Sequence, residues 1–383
     1  MKKIAIIGGG AAGMICALRL AAYGFGVEIF ERGERLGRKL SATGNGQGNL
    51  TNLNLSADRY FSDDPAAVEG ALSRYGAGEF ISFLETLGGI FLPDERGRVY
   101  PASRQASAIT DLLRRELMRL GVEVRLGAYV EKLTCEKGGF ILYAAGEQVR
   151  ADAVVLCTGG KAAENFGTDG SAFALAKSFG HSVTELRPAL VALRCKETIV
   201  RSLKGIRTDG LVRVVRGKEI YKSRGDVLFT DTGVSGDAVF RASSYAKEGD
   251  KLLIDLLPAV SEERLEKALS TARGEDCLLC VVNNGLGRAL WKEAGGDKKK
   301  LIALIKNFPL TVSGTLGFAR AQVTRGGIPL KETDAHFMSK KRAGLYFAGE
   351  ALNVDGECGG YNLQWAFTSA SIVAEGIHEA DAQ

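Results

Sequence analysis

The stretch KKIAIIGGGAAGMICALRLAAYGFGVEIFE, Lys2 to Glu31, constrains the fold of this chain more than any other. Lys3 to Ile7 is a short apolar strand, and Gly8, Gly10 and Gly13 then spell G-x-G-x-x-G. Ala11 to Tyr23 is a run of small residues suited to a helix, and a second strand ends at Glu31, 18 residues after Gly13. Each glycine has its own task. Gly8 permits the tight turn, Gly10 lets the backbone approach a pyrophosphate, and Gly13, with Ala12 and Ala17, lets the helix pack closely on the sheet. The N–H groups at the helix start face the phosphate charge. Glu31 is placed to accept hydrogen bonds from ribose hydroxyls, and its charge disfavours a 2′-phosphate. A lone glycine triplet is a weak signal. Strand, glycines, helix, second strand and terminal acid in order read as the dinucleotide-binding start of a Rossmann-type α/β domain. The competing reading is a glycine-rich turn with no ligand, and FAD and NAD are not yet told apart.

The segment after Glu31 separates them. A nicotinamide dehydrogenase normally continues into another βα unit, whereas this chain enters RGERLGRKLSATGNGQGNLTN, Arg32 to Asn52, a polar segment headed by Arg38 and Lys39. Such a segment suits an extended dinucleotide, its cations near the pyrophosphate and its amides near a polar ring. Two later segments agree. ADAVVLCTGG, Ala151 to Gly160, is a buried strand ending in Thr158-Gly159-Gly160. GLYFAGEALNVDGECGGYNLQWAFTSASIVAEGI, from Gly344, gives a strand, Gly349-Glu350, a loop holding Asp355, then Gly359-Gly360 and a final helix. The chain holds 49 glycines but only seven prolines, so glycine serves tight turns and close approach rather than a linker.

Between about Arg187 and Gly317 the pattern changes. LVALRCKETIV, GLVRVVRGKEIYKS and GDVLFTDTG alternate apolar with polar and read as antiparallel strands. In LLPAVSEERLEKALSTA, Ser261 is a plausible cap, acids fill the first turn, and Leu265 and Leu269 share a helical face. Helical patterns continue through KKKLIALIKNF, strands resume at LTVSGT, and the chain returns at AQVTRGGI. The net charge of +5 is spread out, and the short run DKKK at Asp297 reads as a helix end rather than a nucleic-acid site. Seven cysteines at irregular spacing do not suggest a disulfide framework, and CLLC, Cys277 to Cys280, reads as core thiols in preference to a redox or zinc motif. The triple glycine breaks any signal-peptide core after four apolar residues, and no apolar run reaches membrane-spanning length. The cytoplasm is the default location, and nothing sets an oligomeric state.

The motifs GRKL…TGNG…N.TN, LFT..G.SG, VT.GG and GLYFAGE.L.VDG.CGGYNLQWA, spread from residue 3 to 376, make the chain similar to the BaiN/YhiN-like flavoproteins, also called aminoacetone-oxidase-family FAD-binding enzymes. The resemblance implies an α/β, glutathione-reductase-like FAD-binding (Rossmann-type) domain interrupted by a β-barrel-like domain carrying a small helical insert. The expected division is 1–187 for the first part of the FAD domain, 188–258 and 309–320 for the barrel-like substrate domain, 259–308 for the helical insert, and 321–383 for the C-terminal part of the FAD domain. It places Gly8, Gly10, Ala11, Ala12 and Gly13 at the pyrophosphate, Glu31 and Arg32 at the ribose end, and Val130 at the adenine. Arg38 and Lys39 run along the cofactor, with Gly44, Asn45, Gly46, Asn49, Thr51, Asn52, Thr158, Gly159 and Gly160. Glu350 replaces the more usual aspartate and is expected to reach the ribityl or pyrophosphate region, beside Gly349 and Asp355. Gly359, Gly360, Tyr361, Asn362 and Leu363 present amides to the pyrimidine end of the flavin. The chain departs from its relatives at Gln47-Gly48, where they carry Arg-Cys or a close variant, at KAAENFGTDGSAF after the TGG turn, and at Asp237 in SGDA.

The expected function is an FAD-dependent oxidoreductase. A flavin carries the redox chemistry and the protein supplies position and electrostatics, so no catalytic triad is sought. Asn45, Asn49, Arg325 and Tyr361 are the candidates for substrate or flavin-edge contacts. Cys358 has no second cysteine at redox spacing, His181, His336 and His378 read as surface or capping residues, and no metal set is expected. The preferred form takes hydride from NAD(P)H and delivers it to an unsaturated or oxo small molecule, as bile-acid-type members of the family do. An amine or aminoketone oxidase using O2 is the enzymatic alternative. A flavoprotein that binds RNA or protein, with FAD structural or sensing, is the alternative of another class, although no basic-aromatic stripe argues for nucleic acid. The partner is expected to be a small-molecule substrate, with no membrane.

Overall fold

The computed structural model describes residues 1–136, 138–271 and 274–382. Positions 272 and 273 of the expected helical insert, and the last residue of the expected C-terminal part, lie outside the described residues. The chain divides into two compact units, Met1–Arg187 with Val323–Gln383, and Pro188–Gln322.

In the first unit Lys3–Ile7 lies at the centre of a five-stranded parallel sheet. The order is Leu345–Phe347, Ala153–Leu156, Lys3–Ile7, Gly26–Phe30, Glu123–Arg125. Strands covered on both faces are apolar throughout, and Ile4, Ile6, Val154, Val155, Leu345 and Phe347 are buried. Ile7 pairs with Phe30 on one side and Leu156 on the other. The three strands therefore end level, and Gly8, Glu31 and Cys157 come next at one edge, the edge where open α/β sheets bind ligands. Helix Ala11–Ala22 and the terminal helix Tyr361–Ala382 cover the sheet. Trp365, Phe367, Ala370 and Val373 are buried, as a central helix requires, and Phe367 stacks on Phe80 of helix Ala77–Thr86. A three-stranded antiparallel sheet, Val130–Glu136, Gly139–Ala144 and Glu147–Ala151, adds a further layer. Two small ladders flank the terminal helix: Thr51–Asn52 pairs with Arg98–Pro101, and Val354–Gly356 with Tyr60–Ser62.

The second unit is a closed six-stranded barrel, in agreement with the barrel-like expectation. Its strands are Leu193–Cys195, Gly233–Ser235, Lys218–Phe229, Arg207–Arg216, Lys251–Asp255 and Phe308–Thr315, all antiparallel. Val212, Val214, Val227, Phe229, Leu252, Ile254 and Leu310 fill it. The strand expected through Val200 stops at Cys195, and Ile199–Ser202 coils into a short helix that buries Val200. Ser261 does cap its helix, its Oγ accepting the Arg264 N–H at 3.3 Å, and Leu265 and Leu269 are buried. Asp297 caps Lys298–Lys306 through the N–H groups of Lys299 and Lys300. These helices and Asn284–Glu293 share one apolar core with the barrel. Among the described residues no helix is long and apolar enough to cross a membrane.

Candidate active site

The glycine cradle is tight at two of its glycines and open at the third. Gly8 has φ +105°, and a Cβ there would lie 2.5 Å from the Cys157 carbonyl oxygen. A Cβ on Gly13 would lie 1.9 Å from the Gly8 carbonyl oxygen. On Gly10, by contrast, it would meet no atom within 4 Å. Turn and helix are thus pressed together, while the backbone above Gly10 faces open space beside the helix start at Ala11 and Ala12. This cradle fits a dinucleotide pyrophosphate.

Glu31 stands at the end of the second strand. Its carboxylate accepts the Gly9 N–H at 2.8 Å and the Gly33 N–H at 2.7 Å. Its carbonyl accepts the Ala128 N–H, which brings in the strand carrying buried Val130. Arg32 stacks over Tyr129 at 5.0 Å and pairs with Asp169 at 2.9 Å. Burial pushes the Asp169 carboxyl up, but bonds from Ser171 and Arg32 outweigh it and hold it at about 2.

Lys39 and Arg38 diverge. Arg38 donates to the Asn165 carbonyl at 2.7 Å, in the loop after Thr158-Gly159-Gly160. Lys39 Nζ lies 2.7 Å from Glu350 Oε2, and Glu350 Oε1 accepts the Thr324 N–H at 2.8 Å. Thr324 Oγ1 in turn accepts the N–H groups of Lys161 and Ala162. Gly160 is pinned in this knot: a Cβ would lie 2.4 Å from Thr324 Oγ1 and 2.8 Å from Glu350 Oε1. Gly159 has φ +73°, half-buried Thr158 precedes it, and Gly349 has φ +68° with its N–H on Ser369 Oγ. Both Glu350 oxygens are therefore engaged by protein groups. Thr324 was not singled out in the sequence.

The stretch around Gly44, Asn45 and Gly46 runs through three successive left-handed residues, with φ of 58°, 54° and 83°. Asn45 is exposed, whereas Asn49, with its amide turned, bonds the Thr51 carbonyl and the Gly360 N–H. Thr51 Oγ1 donates to Gln364 at 2.5 Å, and Asn52 Nδ2 to the Gly359 carbonyl at 3.1 Å. The polar segment and the start of the terminal helix are thereby laced together. Asn362 bonds both the N–H and the carbonyl of Gly356, Tyr361 donates to the Asn54 carbonyl at 3.3 Å, and Leu363 packs on the core. Asp355 is buried and receives Arg325 through Nε at 3.1 Å and Nη2 at 2.8 Å. Burial pushes the Asp355 carboxyl up, against the pull of Arg325.

Two expectations are corrected. His181 is buried, not a surface group: Nδ1 lies 2.7 Å from Glu332 and Nε2 2.6 Å from Ser339 Oγ. Of CLLC only Cys277 is a core thiol, since Cys280 is exposed, with φ +60°. His378, stacked on Tyr23 at 4.2 Å, and His336, 3.4 Å from Glu379, lie away from these groups.

A parallel sheet with a glycine cradle at its strand ends, the laced polar segment and a helix aimed from Gly360 define a flavoprotein of the FAD-dependent oxidoreductase class. The chain belongs to the family of the HI0933-like protein Rossmann domain, whose model matches residues 2–376. It is 34% identical to the 3-dehydro-bile acid delta(4,6)-reductase of Clostridium scindens, over 99% of this chain and 100% of that one. It is 32% identical to the ribosomal RNA dihydrouridine synthase of Haemophilus influenzae, over 97% of each. That name runs against the expectation that nucleic acid is not a partner. The fold is shared with a 3-ketosteroid-delta4-(5alpha)-dehydrogenase from Rhodococcus jostii, at a TM-score of 0.55 and 16% identity over 98% of this chain and 97% of that one.

Proposed function

We propose that this protein is an NAD(P)H-dependent reductase that saturates a C=C bond conjugated with a carbonyl. The observation that carries the reading is the chemistry shared by the two relatives named above. Removing Δ4,6 unsaturation from a 3-oxo bile acid and converting uridine to dihydrouridine both saturate such a bond. Bound FAD supplies hydride at N5. In this reading Gly8, Gly10, Ala11, Ala12 and Gly13 hold the pyrophosphate, and Glu31, Arg32 and Val130 the adenosine. Arg38, Lys39, Gly44, Asn45, Gly46, Asn49, Thr51, Asn52, Thr158, Gly159, Gly160, Gly349 and Glu350 line the cofactor's length. Lys39 keeps Glu350 neutralised, so the carboxylate does not repel the diphosphate. Gly359 to Leu363, at the positive end of the terminal helix, favour negative charge on the pyrimidine edge.

A small 3-oxo-Δ4 substrate is the first choice, since that relative is the more similar of the two, at 34% against 32% identity. A uridine in RNA is the second, favoured by charge distribution. Residues 188–322 hold 23 basic and 16 acidic side chains, whereas the rest of the chain holds 27 and 29. One experiment separates the readings. Mixed anaerobically with NADH or NADPH, the yellow holoprotein is expected to bleach, and to recover its colour on adding a 3-oxo-Δ4 steroid. Bleaching by an amine but by neither nucleotide makes it an oxidase. Colour returned only by ribosomal RNA, with salt-weakened binding and a gain of two hydrogens on a uridine, selects RNA.

A further inference from the structure

The short sheet of Thr51–Asn52, Arg98–Pro101 and Phe91–Pro93 has two faces of opposite character. Side chains directly across an antiparallel ladder share a face, and neighbours along a strand alternate. Thr51, Val99 and Phe91 share one face and are buried. Asn52, Arg98, Tyr100 and Leu92 share the other, since Asn52 stands opposite Arg98 and Leu92 opposite Tyr100. The Ala102 N–H on the Ile90 carbonyl adds a rung and brings Ile90 to that face. The face begins at the start of the terminal helix. Asn52 bonds the Gly359 carbonyl, and a Cβ on Gly359 would lie 4.0 Å from Arg98 Cδ. The Arg98 guanidinium lies 5.8 Å from the Tyr100 ring, and a second guanidinium, that of exposed Arg104, sits 4.2 Å from the same ring.

Two polar groups of this face lack a protein partner. Among the described residues no carboxylate or other acceptor takes the Arg104 side chain. Asp94 is occupied by Arg98, through Nε at 2.8 Å and Nη2 at 2.6 Å, and by the N–H groups of Arg96 and Arg98. Tyr100 is 6% exposed, yet among the described residues its hydroxyl makes no hydrogen bond, where a buried tyrosine usually finds one. Burial pushes the Tyr100 phenol up, against both guanidiniums, so it keeps its proton as a donor. Beside this pair Ile90 and Leu92 are 68% and 53% exposed.

We propose that Arg104 and Tyr100 are specificity-determining residues that take up a carboxylate of the substrate, whose apolar body lies on Leu92 and Ile90. The substrate is then a small amphipathic acid that carries the enone, which rests on the conjugated-carbonyl reading above. An arginine fork matches a carboxylate in plane and charge. Stacking on Tyr100 holds the guanidinium in place before the ligand arrives, so less order is lost on binding. An unpaired cation beside two bare aliphatic side chains suits a ligand charged at one end and apolar along its length. A phosphodiester chain would leave Ile90 and Leu92 against water. The pair selects which enone is held and takes no part in moving hydride.

The test compares 3-oxo-4-cholenoate with its methyl ester, one body with and without the charge. Each is titrated into oxidised holoprotein without NAD(P)H, and calorimetry reads the affinity. The wild type is expected to bind the acid about tenfold more tightly than the ester, a preference that shrinks as salt rises. Arg104→Gln is expected to bring the two ligands to equal affinity with the ester unchanged. Arg104→Lys keeps part of the preference, and Tyr100→Phe loses a smaller part. A wild type that binds acid and ester alike overturns the proposal, as does a full preference for the acid in Arg104→Gln. Should the glutamine variant not hold FAD, Leu92→Asp decides. Its added carboxylate weakens the acid more than the ester, and equal weakening also overturns the proposal. Arg104-dependent binding of an oligouridylate, with none of the acid, overturns the carboxylate and selects an RNA phosphate. An acid preference through Arg104 in a protein that NAD(P)H does not reduce sinks the reductase reading alone.

Discussion

At Gly48 a single atom has a calculable consequence. The family resemblance leads one to expect a cysteine near this place, yet here φ is +79° and a Cβ would lie 2.7 Å from Ile109 Cδ1 and 3.0 Å from Ala106 Cα. Helix Ala106–Arg119 has closed onto the loop, and only glycine fits beneath it. Gly48→Cys is therefore expected to destabilise rather than to restore a missing thiol. The left-handed backbone costs about 1–2 kcal/mol and the overpacking about 1–3 kcal/mol, read as a lower urea midpoint at unchanged m. An unchanged midpoint would mean that the helix yields freely. Gln47, the other half of the departure, is exposed, and nothing around it explains its identity.

Between elements, His181 joins the end of helix Phe173–Ser178 to the segment 330–342. Ser339 Oγ accepts the N–H groups of Lys341 and Arg342, so its own proton goes to His181 Nε2. Nδ1 then carries the ring proton and donates to Glu332. The serine is buried beneath two amides, and the trio acts as a latch rather than a nucleophile. Burial lowers the His181 pKa from 6.5, more than Glu332 raises it. The unfolded chain therefore takes up a proton near 6.5 that the folded chain refuses until lower pH. Stability is complete above that value and falls as pH drops below it. Denaturant midpoints measured from about pH 8 to about pH 5 should decline below 6.5 in the wild type and less steeply in His181→Gln. Equal slopes would remove the histidine from the explanation. Glu332 is also drawn down, to about 2, by Ser182, Lys341 and His181 despite burial, so its share is lost only in stronger acid. This latch shows what sequence could not disclose. The Gly8–Gly13 cradle was legible because its partners are local and glycine spacing encodes geometry. His181 and Glu332 stand 151 residues apart, and Asp355 and Phe61 meet only through a ladder of two short strands. Such contacts leave no periodicity to read.

For the whole molecule, the decisive fact is that the apolar core is not continuous in sequence or in space. One buried cluster draws on residues 4–186 and 328–377, the other on 193–312. The helices at 262–306, within the stretch expected as a small helical insert carried by the barrel-like domain, contribute Leu265, Leu286 and Leu301 to the barrel's cluster. They were legible as helices from their caps and apolar faces, but a helix pattern does not say which core its face joins. Each unit has an apolar core of its own, and each is expected to unfold as its own cooperative block. The cradle, Glu31, Glu350 and the start of the terminal helix all lie in the unit built from 1–187 and 323–383. A ligand that binds only the folded form raises stability by RT ln(1 + [L]/Kd), and it does so for the block that holds it. Adding FAD at about 100 times its Kd should therefore raise that unit's calorimetric transition by about 2.7 kcal/mol, leaving the barrel's transition where it was. Two peaks that separate as FAD is added are the expected trace. A single peak moving as a whole would show that the barrel does not unfold apart from the flavin unit, and that binding energy at Gly10 is felt as far as Leu301.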